Sequence, residues 1–289
     1  MSRRDRWSAQ ECTRRLKVAM LGLAVMLLAG STILSRAAPA TPTPEGVDQL
    51  GIGEWEAIWT RVLERHVDQA GRIDLAGLRA DHADLDRAVA FIAAVDPASS
   101  PARFPSPASR LAYHINAYNV LAMFGVLDAN VPDSFDALGR LWFFYLRGVT
   151  IGGRSTSLYS LENEVIRPVG DPRAHFALNC MVVSCPRLPR VAFTAGRLDR
   201  ALDQTARSFI AEDRNLRLDR QKRQVHLSAI FDFYTKDFLA QAPSLIAYVN
   251  RYRAEPIPLD YQVDFLEYDW TINDQARRGA GSAPITTTR

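Results

Sequence analysis

The densest set of reactive side chains is His175-x3-Asn179-Cys180-x3-Ser184-Cys185-Pro186. Three chemistries compete for it. The first is a thiolate nucleophile, Cys180 or Cys185, served by His175 or His114 as base and oriented by an Asn or Asp. The second is a metal site on His175, Cys180 and Cys185, but the spacings differ from the common zinc patterns and no fourth ligand is evident. The third is structural: two small buried hydrophobes, or one Cys180–Cys185 disulfide in an oxidising compartment. If the segment begins as an α-helix, His175 and Asn179 share a face at i, i+4. His175 and Cys180 then lie about 140° apart and need a bend to pair. Cys185 precedes Pro186, which favours extended backbone there, so the chain should leave the helix near Ser184. A turn after Cys180 would bring the two Cα atoms within the ~7 Å a disulfide needs; a continuous helix would not.

A second cluster, His114, Asn116, Tyr118 and Asn119, lies in an apolar stretch. Asn116 and Asn119, at i, i+3, face one way on a helix and require hydrogen-bond partners if buried. They either tie the helix to neighbouring backbone or line a site. Glu162 and Arg167 are expected to pair on a short helix ended by Pro168, with Asn163 beside them. His66, His82 and His226 read as surface residues. No phosphate loop, dinucleotide fingerprint, GxSxG or HExxH motif is present, so no cofactor and no metal is expected.

The elements that must position these groups are mostly helical. Trp55, Ile58, Trp59, Val62 and Leu63 fall at i, i+3, i+4, i+7, i+8, which predicts a helix over 54–67. Asp74 caps a second helix, and a third covers 84–95. Residues 96–110 read as a Pro/Ser-rich surface loop, 110–128 as a strongly apolar helix and 134–144 as another. A strand is expected over 145–151, turned by Gly152-Gly153. Ser157 caps the helix before Pro168. Residues 199–212 are amphipathic, and 215–227 alternate about a polar turn as a hairpin. Ser228 caps a further helix, SLIAYVNRY is another, and VDFLEYDW reads as a last strand. The fold class is therefore α+β, mainly helical, with a few short strands, in a single domain.

Charge separates the N-terminus from the body. The chain has 289 residues with 35 Lys+Arg and 32 Asp+Glu. Seven of the basic and two of the acidic residues lie in the first 40, leaving 28 and 30, a net of −2, for the remainder. A body without a basic surplus argues against nucleic acid as a partner. Residues 18–34 form one uncharged apolar run behind a basic segment, followed by Ala38-Pro39-Ala40. That pattern reads as a signal peptide or an N-terminal membrane anchor, either of which delivers the body across a membrane. Membrane contact is expected only through this run. The expected divisions are 1–40 leader, 41–52 linker, 53–273 globular domain and 274–289 disordered tail.

The segments LAYHINAYN (111–119), GGRSTSLYSLENEVIRP (152–168), DPRAHFALNCMVVSCPRL (171–188), HLSAIFDFYTKDF (226–238) and YDWTIN (268–273) resemble the "domain of unknown function 547" family. The resemblance spans residues 50–273 and implies an exported or envelope protein of uncharacterised activity, acting on an unknown envelope partner or substrate. It places emphasis on His175, Asn179, Cys180, Ser184 and Cys185, and on Asn116, Tyr118 and Asn119. The sequence departs from the family at His114, usually aromatic, at Asn163, often His, and at Met181, usually small. The expected site is catalytic Cys180, Cys185, His175 and Asn179, with Asn116, Tyr118, Asn119 and Ser184 binding or orienting. If catalytic, it performs thiol-type hydrolysis or acyl transfer. The alternative is a non-enzymatic envelope scaffold or binding module with a Cys180–Cys185 disulfide.

Overall fold

A computed structural model describes residues 46–277. The apolar run 18–34 lies outside the described residues, as does the tail from residue 278 onward. The amphipathic periodicity gives α1 (Ile52–His66), whose Trp55, Ile58, Trp59, Val62 and Leu63 are buried. Asp74 caps α2 (Leu75–Ala80), and α3 (Ala83–Ala94) packs on α1. The long α4 (Pro107–Asp128) starts at a Ser106–Ser109 reciprocal cap and is buried on nearly every side, which explains its lack of amphipathicity. His66, read from the sequence as a surface residue, is instead buried at the end of α1.

Two later helices change pitch. α5 (Ala137–Leu141) widens into a π-turn over Trp142–Leu146, closed by the Arg147 N–H on the Trp142 carbonyl at 2.7 Å. The helix therefore starts later and runs further than its sequence suggests, leaving only Val149–Ile151 for strand β1. β1 pairs antiparallel with β2 (Arg154–Thr156). α6 (Leu158–Ser160), capped by Ser157, likewise widens into a π-turn over Leu161–Ile166. The second half holds α7 (Leu198–Ala211), the hairpin β3 (Leu216–Asp219)–β4 (Gln224–Ser228), and the short helices α8 (Ala229–Phe233), α9 (Thr235–Leu239) and α10 (Leu245–Asn250). β5 (Gln262–Leu266) lies parallel to β4 and completes a three-stranded sheet. The fold is mainly helical α+β with two small sheets.

Two apolar clusters form the core. One gathers α1, α3 and α4 with Leu178, Cys180 and Cys185; the other gathers Phe176, Phe209, Phe231, Phe238 and Tyr248. Tyr268 packs against both. Residues 269–275 return to the first half: the Asn273 N–H reaches the Met181 carbonyl at 2.9 Å, and the Gln275 N–H reaches Ile73 at 2.8 Å. Among the described residues no helix is long and apolar enough to cross a membrane.

Candidate functional site

A single 3-10 stretch, Pro172–Phe176, opens the His/Cys segment, capped by the Asp171 side chain on the Arg173 N–H. It ends before Asn179, so His175 and Asn179 do not share an α-helical face as i, i+4 spacing predicts. Pro172 starts this tight turn readily, but two buried carboxamides then capture the backbone. Asn119 Nδ2 donates to the Ala177 carbonyl at 2.9 Å, and its Oδ1 accepts the Asn179 N–H at 2.8 Å. Asn179 Oδ1 accepts the Met181 N–H at 2.6 Å and its Nδ2 donates to the Pro186 carbonyl at 2.5 Å. Met181 is held at φ 70, in the left-handed region. This fold-back brings the two cysteines together: the Cys180 N–H donates to Cys185 Sγ at 3.1 Å.

The cysteines face a cavity of about 470 Å³ where the two core clusters meet. Tyr118 of α4 and Leu178 line it on one side, Ile230 and Tyr234 on another. Both π-turns contribute, through Phe144 and Tyr145 and through Glu162 and Asn163. A π-turn rotates the following side chains relative to an α-helix, a device common at functional sites. Tyr268 and Trp270 arrive from the irregular segment that follows β5, which ends at Leu266, short of the expected strand end at Trp270. The Tyr268 hydroxyl lies 3.3 Å from Cys185 Sγ and 3.8 Å from Cys180 Sγ. Both thiols are free and buried.

The two sulfurs differ. Burial alone pushes the Cys185 thiol up, but contacts with the Cys180 thiol, the Tyr268 hydroxyl and backbone N–H groups outweigh it and hold Cys185 below the ordinary cysteine value. Cys180 is pushed well above it, by its hydrogen bond to Cys185 and by burial. Of the pair, Cys185 is therefore the thiol that ionises first.

His175 is buried against Tyr234, rings stacked 3.9 Å apart. Its Nε2 lies 2.8 Å from Asp237 Oδ2, while Nδ1 is buried without a partner. Arg167 grips the same carboxylate, Nε to Oδ2 at 2.8 Å. His175 and Arg167 together hold the Asp237 carboxyl far below the usual carboxylate range. With Nε2 engaged by Asp237, Nδ1 is the ring nitrogen left without a hydrogen-bond partner. No hydrogen bond joins His175 to either thiol, so both groups line one cavity without forming a dyad.

Of the residues expected from the sequence, Cys180, Cys185, His175 and Tyr118 line this cavity. Asn116, Asn119, Asn179 and Ser184 do not. Asn116 clamps Phe193, accepting its N–H at 3.0 Å and donating to its carbonyl at 2.7 Å. Ser184 Oγ accepts the Asp269 N–H at 2.8 Å. His114 lies by a separate cavity of about 510 Å³ with Asp96, Arg110 and Arg154, its pKa pushed down to about 4 by burial. The expected Glu162–Arg167 pair does not form: Glu162 accepts the Tyr234 hydroxyl, and Arg167 takes Asp237. The sequence reading passed over Asp237, Tyr234 and Tyr268. Tyr268 and Asp237 do lie within family-like segments, but nothing in their spacing ties them to residues 60 to 90 positions away. Among the described residues no group of three or more His, Cys, Asp or Glu side chains is arranged to hold a metal ion.

Residues 103–210 match the family model described as "Protein of unknown function, DUF547". No curated protein and no solved structure matches the chain.

Proposed function

We propose that this chain, carrying a domain of unknown function over residues 103–210, is an exported thiol-dependent hydrolase or acyl transferase with Cys185 as its nucleophile. One observation carries the reading. Cys185 Sγ, at the cavity wall, has the Cys180 N–H at 3.1 Å and the Tyr268 hydroxyl at 3.3 Å. A thiolate is the form a nucleophile needs, and donors aimed at sulfur stabilise it. In the first half-reaction Cys185 sulfur forms a bond to a substrate carbonyl carbon. The bond to the leaving oxygen or nitrogen breaks, and that atom takes a proton from solvent, which later recovers one from the His175 imidazolium. In the second, water or an acceptor loses a proton to the free Nδ1 of His175 and attacks the thioester, releasing the Cys185 thiolate. Asp237 stabilises the resulting imidazolium, as an orienting carboxylate does.

The test is covalent labelling followed by intact-mass analysis. In protein carrying Cys12→Ser, a carbonyl-bearing thiol electrophile should add once with no further change and once to Cys180→Ser, and fail on Cys185→Ser. Equal labelling of Cys185→Ser would sink the assignment. Export is supported by the apolar run 18–34 behind six basic and two acidic residues. A fusion of residues 1–50 to a reporter active only outside the cytoplasm should be active.

The contact between Cys180 N–H and Cys185 Sγ also suits a second reading, a scaffold stapled by a Cys180–Cys185 disulfide. Thiol titration of denatured, unreduced protein separates the two. Two free body thiols favour the nucleophile; none favours the staple.

A further inference from the structure

The helix over residues 137–146 turns an apolar stripe outward. Leu138, Leu141, Trp142, Tyr145 and Leu146 stand at i, i+3, i+4, i+7, i+8 and are 42–75% exposed. The spacing is that of a buried helix face, yet the buried side of this helix is separately filled by Phe143. No charge interrupts the stripe. Arg140 folds back, Nη1 on the Phe135 carbonyl at 3.0 Å and its guanidinium over the Trp270 ring at 4.7 Å. A contiguous apolar patch of this kind marks an interaction surface.

We infer that this stripe is a lipid-facing platform that beds the cavity mouth at a bilayer surface. Three observations select lipid. The stripe is uncharged and combines leucines with Trp142 and Tyr145, the composition of a helix lying in a membrane interface. It is continuous with the cavity: Tyr145 stacks on Tyr159 at 4.3 Å, and both line the opening. The chain's own apolar run ends at Leu34, and residues 35–45 reach at most about 40 Å when fully extended, so an uncleaved run keeps the body beside a membrane. The inference rests on the export reading, not on the thiol chemistry. It adds a second membrane contact to the one expected at residues 18–34.

Full-length protein is mixed with phosphatidylcholine vesicles whose acyl chains are brominated. The chain has five Trp, so the Trp142 signal is taken as the difference between wild type and Trp142→Phe. That signal should be quenched at least twofold by brominated over plain lipid. In Leu138→Ser/Leu141→Ser/Leu146→Ser, whose altered positions are all exposed, the quenching should fall by more than half with an unchanged near-ultraviolet circular dichroism spectrum. A wild-type protein that floats with vesicles while Trp142 stays unquenched overturns the platform and leaves export standing. Absence of flotation and quenching together also overturns the platform, and export is then decided by the reporter fusion alone. A dimer that buries Trp142 without lipid quenching assigns the stripe to self-association and also overturns it.

Discussion

The backbone N–H of Cys180 points at the sulfur of Cys185, 3.1 Å away. Five residues apart, the two cysteines are made unequal chiefly by their thiol–thiol contact, to which that bond adds: Cys180 supplies donors and Cys185 accepts them. Tyr268 adds its hydroxyl at 3.3 Å. Cys185 should react with a neutral thiol reagent at a half-maximal pH below that of ordinary cysteine. Tyr268→Phe removes a hydrogen bond to a charged acceptor, about 1.5–3 kcal/mol, which moves that half-point up by about one pH unit or more. Labelling rate against pH in Cys180→Ser, with and without Tyr268→Phe, reads this directly. An unmoved half-point would show that Tyr268 does not hold the thiolate.

Asn119→Ala should destabilise without touching reactivity. The change leaves the buried Ala177 carbonyl and Asn179 N–H unpaired, at about 1–3 kcal/mol each. A loss of about 2–5 kcal/mol is expected in urea unfolding. Labelling of Cys185 per folded molecule should stay within twofold if Asn119 is a clamp and not an orienting group. The same holds for Asn116→Ala, which unpairs Phe193.

Asp237 links stability to acid. Its folded pKa lies far below the unfolded value near 4, because His175 and Arg167 stabilise the carboxylate. The folded state therefore binds fewer protons in acid. The stabilisation is complete above the unfolded pKa and is lost as pH falls through the folded one. Asp237→Asn should lower the melting temperature at pH 6, with the difference from wild type holding down to about pH 4 and shrinking only below it. A constant difference would contradict the linkage.

Glu56 acts in the opposite sense. Burial raises its pKa to about 7, with Arg197 opposing. The folded state binds the extra proton, so stability is full below the unfolded pKa and declines as pH rises through about 7. Glu56→Gln should flatten the fall in melting temperature between pH 5 and pH 8.

Gly152 stands at φ +54, and a Cβ there would sit 2.4 Å from Asp96 Cγ. Asp96 is itself buried and paired with Arg154 at 2.8 Å. Gly152→Ala should cost at least about 1–3 kcal/mol from backbone strain, plus displacement of the carboxylate. Gly153 also has positive φ but open space around it. Gly153→Ala should lose less, which chemical denaturation of the two variants will compare.

Local chemistry made much of the molecule legible in the sequence. The apolar period of residues 54–63, the caps at Asp74, Ser157 and Ser228, and the polar turn of the β3–β4 hairpin each depend on residues within a few positions of one another. So they set helix and strand positions without outside help. Five-residue spacing only allowed Cys180 and Cys185 to meet; the fold-back clamped by Asn119, 60 positions away, brought them together. Tertiary structure decided what those groups do. Asn119 and Asn179, alike in composition to site residues, became backbone clamps because the fold buried them beside unpaired carbonyl and N–H groups. Arg167 left Glu162 for Asp237, 70 positions away, because only packing places α9 against the second π-turn. Tyr268 reached the sulfurs because the irregular segment after β5 packs against both core clusters. A sequence lists donors and acceptors, but which donor meets which acceptor is set by long-range burial, where every polar group must find the partner the packing leaves within reach.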